Sequence, residues 1–203
     1  HSSSIQFAGW PLPDPDEEDL VAEESELLIM NLLVDIQNIL KVTKIIPNRI
    51  YVYVSAQWKR RLYHKILSII SVENEANFGE IMKILSKDPQ TSAIVRKNVG
   101  LVRKIIEDIL SVPVDVRKRQ LKIGETFDES YPIRDASKLL SIESTNRIVD
   151  IQIYQEEEEQ SEGKKVEEET RYKNGSGNLK QAIYDPKSKA RHSRPFKPAV
   201  YIE

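Results

Sequence analysis

The stretch Arg49-Ile50-Tyr51-Val52-Tyr53-Val54 decides how the fold is read. Its β-branched and aromatic residues favour a strand, and the Ile45-Ile46-Pro47-Asn48 run directly before it predicts the end of a helix. Upstream of that run, apolar residues recur at helical spacing and predict one long amphipathic helix over about residues 16–43. These apolar residues are Ile29, Leu32, Leu33, Ile36, Ile39 and Leu40.

Downstream of the strand, apolar residues at helical spacing predict three further helices. The first contains Trp58 and Leu62, the second contains Phe78 and Ile81, and the third is one continuous helix over about residues 94–109. Another helix is predicted over residues 136–142, and two more strands over residues 148–154 and 199–202. The strand at 148–154 is expected to pair either with the first strand or with the last one.

These elements predict an α/β (α+β) fold, in which a long N-terminal helix from a helical bundle precedes a small sheet packed with several helices. The predicted boundary separates residues 1–45, the end of the bundle, from an α/β domain at residues 46–203. Eight glutamates against two lysines between residues 156 and 169, followed by a glycine-rich and asparagine-rich run at 174–178, predict a mobile acidic loop at about 156–178.

The composition argues against several kinds of chemistry. The 203 residues include no cysteine, which excludes disulfides, thiolate metal sites and thiol nucleophiles. His1, His64 and His192 lie far apart, and the seven glycines form no phosphate-binding loop, so we expect no catalytic centre, metal site or cofactor in this chain. No apolar run approaches the roughly 18 residues that a membrane span needs, and we expect a cytoplasmic protein without membrane contact.

The net charge of −2 hides two basic blocks. Residues 41–122 contain 17 lysines and arginines against 7 acidic residues, and residues 171–203 contain 8 against 2. Clustered positive charge is typical of phosphate binding, because neutralised phosphates release condensed counterions. Charged helix faces that only remain solvated are the alternative, and charge alone leaves both open.

Cations at helical spacing in the first block predict surfaces that suit a nucleic-acid backbone. On the predicted third helix, Arg96 and Arg103, like Lys97 and Lys104, are seven residues apart and should share faces. The candidate RNA contacts of this block are Lys59, Arg60, Lys65, Arg96, Lys97, Arg103, Lys104, Arg117, Lys118 and Arg119.

Four segments resemble a known family. The tail begins Tyr184-Asp185-Pro186-Lys187-Ser188-Lys189-Ala190-Arg191 and ends Lys197-Pro198-Ala199-Val200-Tyr201-Ile202-Glu203. This ending, together with Trp10-Pro11, the strand that runs into Trp58-Lys59, and Phe78-Gly79-Glu80-Ile81-Met82-Lys83, resembles the C-terminal part of leucyl-tRNA synthetases of the archaeal and eukaryotic type.

The resemblance implies a noncatalytic C-terminal fragment that positions tRNA(Leu) through its outer region and long variable arm. It implies contacts to that arm from Lys197, Tyr201, Ile202 and Glu203. It implies phosphate contacts from Lys187, Lys189, Arg191 and Arg194.

The family is a class I aminoacyl-tRNA ligase, so the resemblance also implies that ATP and leucine bind a catalytic domain elsewhere. Without the catalytic motifs, this chain should be inactive alone. The implied partners are tRNA(Leu) and the remainder of the synthetase, with no DNA. The alternative is a noncatalytic protein–protein interaction domain whose charged surface only keeps it in solution.

Overall fold

The computed structural model describes residues 19–72, 77–156, 172–174 and 184–203. Helix α1 spans Leu20–Thr43, and the Asp19 carboxylate caps it by accepting the backbone N–H groups of Val21 and Ala22. The helix ends at Lys44, which adopts a left-handed conformation with φ 55°. The predicted long helix is confirmed, while its expected first residues, the Trp10-Pro11 motif and most of the predicted acidic loop lie outside the described residues.

The described strands form a four-stranded sheet in the order β3-β2-β1-β4. In the centre, β1 and β2 run parallel with Arg49 opposite Asp150, whereas β4 pairs antiparallel with β1, placing Tyr51 opposite Tyr201. The strand predicted at 148–154 therefore pairs with the first strand, not with the last. The strands are β1 Arg49–Val54, β2 Asp150–Glu156, β3 Tyr172–Asn174 and β4 Ala199–Ile202.

Seven α-helices separate β1 from β2 within the described residues, and a 3-10 turn, Ala190–His192, precedes β4. Among the described residues, no helix combines the length and the apolar character that a membrane crossing requires. The helices are α2 Gln57–Val72, α3 Phe78–Lys87, α4 Ser92–Lys97, α5 Val99–Ser111, α6 Val114–Ile123, α7 Ser130–Asp135 and α8 Ser137–Thr145.

The prediction of one continuous helix over residues 94–109 is wrong, because the chain breaks at Asn98. This residue has φ −125° and ψ 37°, and its side-chain amide donates to the carbonyl of Ile94 at 3.0 Å. An asparagine that hydrogen-bonds the preceding turn competes with the helical ladder. The spacing argument that placed Arg96 with Arg103, and Lys97 with Lys104, on shared faces of one helix therefore does not hold.

The two faces of the sheet are covered differently. Side chains of α1, α7 and α8 pack against Ile50, Val52 and Val54 on one face, while Tyr51 and Tyr53 point to the other face. A second apolar cluster joins α2, α3, α4 and α5. Because α1 buries its apolar stripe on the sheet, it shares a core with the α/β part, and the boundary after residue 45 stays a prediction.

Candidate nucleic-acid interface

Lys59 is a buried anchor of the tail. Only 2% of the residue is exposed, and its Nζ donates to the carbonyls of Arg191 at 3.1 Å and Ser193 at 3.0 Å and pairs with the carboxylate of Glu156. A buried cation persists only where such partners replace its water. Lys59, a candidate RNA contact, is therefore buried inside the protein, and its side chain fixes the segment after Ala190.

The next part of the tail is also held by ion pairs. One carboxylate oxygen of Asp108 in α5 accepts a hydrogen bond from Arg194 Nε, and the other accepts one from Lys197 Nζ at 2.6 Å. Backbone hydrogen bonds between Arg194 and Lys197 close a turn, and the Phe196 ring at its tip lies 5.3 Å from that of Tyr63. Both predicted RNA contacts, Arg194 and Lys197, are thus engaged with Asp108 in this structure.

A buried carboxyl group lies beneath this turn. Glu129 is fully buried, and its Oε1 accepts the backbone N–H of Phe196 at 2.9 Å. Burial raises the pKa of Glu129 to about 7, although the bond from Phe196 and the positive charge of Arg60 act in the opposite direction. Sequence reasoning missed Glu129, because its partner is 67 residues away.

The tail segment around Lys187 has a fixed backbone and exposed side chains. The Asp185 carboxylate accepts the backbone N–H of Lys189 at 2.7 Å and that of Ala190 at 2.9 Å, and the Ala190 side chain is buried. Lys187, Lys189 and Arg191 are exposed along the same segment. Asp185 therefore holds a turn that presents three cations to solvent.

Lys104 of α5 adds a further cation to this turn. We call Lys104, Lys189, Arg191 and His192 the basic cluster. The pKa of His192 is lowered by burial first, and then by the positive charges of Arg191, Lys104 and Lys189. Arg191 Nε also lies 3.3 Å from His192 Nε2. Within the described residues, no ion pair involves Lys104, Lys189 or Arg191, so their charge is available to a ligand.

Three aromatic rings on the sheet face opposite α1 form the tyrosine ledge, Tyr51, Tyr184 and Tyr201. The ring centroid of Tyr184 lies 5.0 Å from that of Tyr51 and 6.3 Å from that of Tyr201. Tyr51 is 2% exposed and supports the ledge from beneath, whereas Tyr184 is 45% exposed. Exposed tyrosine rings provide flat surfaces on which unstacked bases can stack.

The Glu203 carboxylate lies at the edge of the tyrosine ledge. It accepts the hydroxyl of Tyr51 at 2.7 Å and that of Tyr184 at 2.9 Å. These two hydrogen bonds lower the pKa of Glu203, while the same carboxylate raises the pKa of Tyr184 to about 12. Glu203 is therefore an anion that holds two rings of the ledge in place.

Ile202 points away from the ledge. Only 6% of it is exposed, and it packs in the core beneath α1, since side chains alternate along a strand. The contact to the variable arm that the resemblance implies for Ile202 would therefore come from its backbone groups, and it stays a prediction. The prediction of a strand at residues 199–202 is confirmed, because β4 lies at the edge of the described sheet next to β1.

Arg119 is another predicted RNA contact with a structural partner. It pairs with Glu23 and Glu24 of α1, each at 2.9 Å, and the neighbouring Gln120 donates to Glu24 at 2.6 Å. Glu24 is 1% exposed, so this network ties α6 to α1 in a buried position. Of its two basic neighbours in α6, Arg117 is half-buried and Lys118 is exposed.

The remaining predicted cations do not gather into one site. Arg60 is half-buried and lies near the carbonyl of Ser55, and Lys65 pairs with Asp88 at 3.3 Å. Arg103 lies over the ring of Phe78, 4.7 Å from its centroid. Arg96 and Lys97 are exposed at the end of α4. Among the described residues, two predicted contacts of the first basic block act on the tail: Lys59 binds it as a buried anchor, and Lys104 adds an exposed charge near His192.

Comparison with known proteins gives a consistent result. No protein-family model matches the chain. The leucine–tRNA ligase of Methanococcoides burtonii is 26% identical over 199 residues, which cover 98% of this chain and 18% of that protein. That of Methanosarcina acetivorans is 25% identical over 203 residues, covering 100% and 18%. That of Methanothermobacter thermautotrophicus is 26% identical over 199 residues, covering 98% and 17%.

The chain thus spans less than a fifth of the length of these relatives, while the similarity extends along essentially all of its own residues. This extent confirms the resemblance that the four sequence segments indicate. The homologues of this chain are archaeal leucine–tRNA ligases.

Proposed function

We propose that this chain is the noncatalytic tRNA-recognition part of a leucyl-tRNA synthetase. In this role it positions tRNA(Leu), through its outer region and long variable arm, for leucylation at a catalytic domain outside this chain. The homology to leucine–tRNA ligases supports the proposal. The rest of the synthetase is the second proposed partner, and the proposed location is the cytoplasm.

The observation that carries the proposal is the exposure of Lys187, Lys189 and Arg191 on a tail segment whose backbone is held by Asp185 and Lys59. Lys104, some 85 residues earlier in the sequence, adds its positive charge near His192 of the same segment. Such a surface would bind phosphates, and the nearby tyrosine ledge would stack an unpaired base of the arm. Two ledge residues, Tyr184 and Tyr201, belong to the same tail, and Tyr53 Oη fastens it to β1 by donating to the carbonyl of Tyr184 at 2.6 Å.

The proposed mechanism is positioning. Contacts made far from the reacting atoms hold a substrate in a productive orientation and thereby lower the entropic part of the barrier. Each group in the cluster would act as a fixed charge or a stacking plane, so no proton or electron transfer is assigned to this chain. ATP and leucine binding are assigned to the catalytic domain.

The test is a titration of the whole chain against tRNA(Leu) and against a tRNA with a short variable arm, each at two salt concentrations. We expect salt-sensitive binding that prefers the long arm. Replacing Lys104, Lys189 and Arg191 together by alanine should reduce the slope of log affinity against log salt by about 2–3, because each phosphate contact contributes roughly 0.7–0.9.

The matched control removes three exposed cations, Lys41, Arg134 and Lys138, from the helices that cover the opposite face of the sheet. This variant should keep the slope and the preference for the long arm. Equal slopes for the two triple variants would contradict a phosphate-binding role of the basic cluster. Equal affinity for both tRNAs would contradict recognition of the variable arm.

A second candidate function is a protein–protein interaction domain. Exposed apolar residues on α1, Met30 at 53% and Val34 at 50%, favour it, because they give this helix a second apolar face. Association through such a face changes little with salt, whereas phosphate binding weakens steeply. The same titration therefore separates the two functions.

A further inference from the structure

Four branched aliphatic side chains are exposed where the chain enters the two central strands. Val42 is 82% exposed, Ile45 42%, Ile46 68% and Ile148 79%. We call these four residues the aliphatic patch. Single exposed aliphatic residues are ordinary on protein surfaces, but a contiguous group of large ones marks an interaction site.

Strand pairing brings the two halves of the patch together. Because β1 and β2 are parallel with Arg49 opposite Asp150, the segments that precede them enter the sheet side by side. Ile46 and Ile148 lie three and two residues before this pair. The helices on either side are also joined, since Gln37 Nε2 of α1 donates to the carbonyl of Glu143 in α8 at 3.1 Å.

The outward position of Ile148 is fixed by its neighbours. Ser141 Oγ donates to the carbonyl of Arg147 at 3.0 Å and accepts the backbone N–H of Val149. Val149 is 8% exposed and packs in the core, so Ile148 must face the other way. A backbone held on both sides of Ile148 makes its exposure a property of the fold.

Basic residues surround the aliphatic patch. Exposed Lys41, Lys44, Arg49 and Arg147 flank it, and they outnumber the two carboxylates that act on Arg49, those of Asp150 at 3.8 Å and of Glu203. A ligand that complements this surface has an apolar centre and acidic flanks. We propose that the aliphatic patch docks an acidic amphipathic helix of a partner protein. This surface is separate from the basic cluster, which lies beyond the other end of β1, where Lys59 of α2 holds the tail.

The composition of the patch favours this occupant over three others. RNA would gain no stacking surface from four aliphatic side chains. A second copy of this chain would bring the two basic rims together, and like charges oppose such a symmetric contact. The acidic run of this chain, residues 156–170, contains a single apolar side chain, Val166, so it cannot supply a complementary apolar face.

The test uses the whole chain and a designed peptide of about 18 residues, in which leucines at helical spacing form one face and glutamates fill the rest. Methyl NMR of isoleucine and valine should show shifts confined to the aliphatic patch. A control peptide with lysine in place of each glutamate should bind at least about tenfold more weakly, because it meets the basic rim with like charge.

Variants then assign the contact. Ile46→Ser with Ile148→Ser should lower the affinity for the acidic peptide at least about tenfold, since two anchoring side chains lose their apolar contacts. The matched control, Leu110→Ser with Val114→Ser, removes two exposed apolar residues, at 55% and 56%, from α5 and α6 and should leave the affinity unchanged.

Four results would overturn the proposal. The first is equal binding of the acidic and basic peptides, and the second is an equal effect of the two double variants. The third is self-association of the chain that Ile46→Ser abolishes, which would assign the patch to a second copy. The fourth is protection of the patch methyl groups by tRNA instead of peptide, which would assign it to RNA.

Discussion

Two neighbouring parts of the tail carry the same residue types and use them differently. Between Asp185 and His192, the backbone is bonded inward while Lys187, Lys189 and Arg191 remain exposed. Between Arg194 and Lys197, the two cations themselves bind Asp108 and fasten the chain to α5. Within one basic segment, some cations thus anchor the chain through ion pairs, and others stay exposed to solvent, which we call displayed cations. The positions of the carboxylates in the fold distinguish the two kinds.

The strongest test of this comparison removes the most buried anchor. Lys59→Met should destabilise the chain by about 3–5 kcal/mol, because Glu156 and two carbonyls of the tail lose a buried partner. Urea unfolding measures the change. Lys65→Met, at an exposed pair on the same helix, should cost less than about 1 kcal/mol. Similar losses for both variants would contradict the distinction between anchor and displayed cation.

The second prediction concerns Glu129, which accepts the Phe196 N–H beneath the anchored turn. Its pKa rises from an ordinary 4.5 to about 7 on folding, so the folded state binds the proton more tightly than the unfolded state. The contribution of Glu129 to the free energy of unfolding is therefore largest below pH 4.5, where the carboxyl group is protonated in both states. This contribution is lost as the pH rises towards 7 and above. The loss amounts to about 3 kcal/mol at most.

Glu129→Gln should remove this part of the pH dependence, because glutamine stays neutral. Unfolding measured at several pH values between 4.5 and 8 tests the change in slope. Glu125→Gln, at a nearby exposed glutamate, serves as the control and should keep the slope of the unmodified chain. A slope that survives in Glu129→Gln would show that another group titrates there.

A third change converts anchors into displayed cations. Asp108→Asn frees Arg194 and Lys197, and it should cost about 1 kcal/mol of stability, since both pairs are partly exposed to solvent. If the tail binds phosphates, the salt slope for tRNA(Leu) should steepen at the same time, because two cations become available. Glu107→Gln, next to Asp108 and exposed, should change neither quantity.

The smallest expected effect belongs to a displayed cation. Lys187→Ala should leave the free energy of unfolding within about 0.5 kcal/mol of its original value, because the side chain is exposed. It should reduce the salt slope for tRNA(Leu) by about 0.7–0.9, which corresponds to one phosphate contact. Lys187→Arg should restore the slope. A large loss of stability would place Lys187 among the anchors.

Local patterns predicted much of the fold. The β-branched run at β1 and the apolar spacing of α1, α2 and α3 are properties of neighbouring residues, and the structure contains all four elements. The break at Asn98 was missed, because the apolar period continues through it, whereas the non-helical backbone angles of Asn98 and its side-chain bond to Ile94 leave no mark on that period. Helix α6 was missed because its sequence is mostly polar.

Whether a given cation is paired inside the protein or exposed to solvent could not be predicted from its neighbours in the sequence. Lys59 is separated from its acceptor at Ser193 by 134 residues, and Arg119 is 95 residues from Glu24. Both were candidate RNA contacts because they lie in a basic block, whereas the fold surrounds them with acceptors. The meeting of Lys104 with the tail has the same long-range origin. By contrast, the alternation of Tyr51 and Tyr53 with apolar residues in β1 is a local pattern from which an aromatic sheet face could have been predicted, although it was not.

The carboxylate of Asp185 has a consequence for the thermodynamics of association. By accepting two successive backbone N–H groups, it orders the turn that carries Lys187, Lys189 and Arg191 before any ligand arrives. A flexible basic tail loses backbone conformational entropy when it closes on a polyanion, whereas this turn would lose mainly the rotamer freedom of three side chains. Its binding would then carry a smaller entropic penalty than that of an unstructured basic peptide of the same composition.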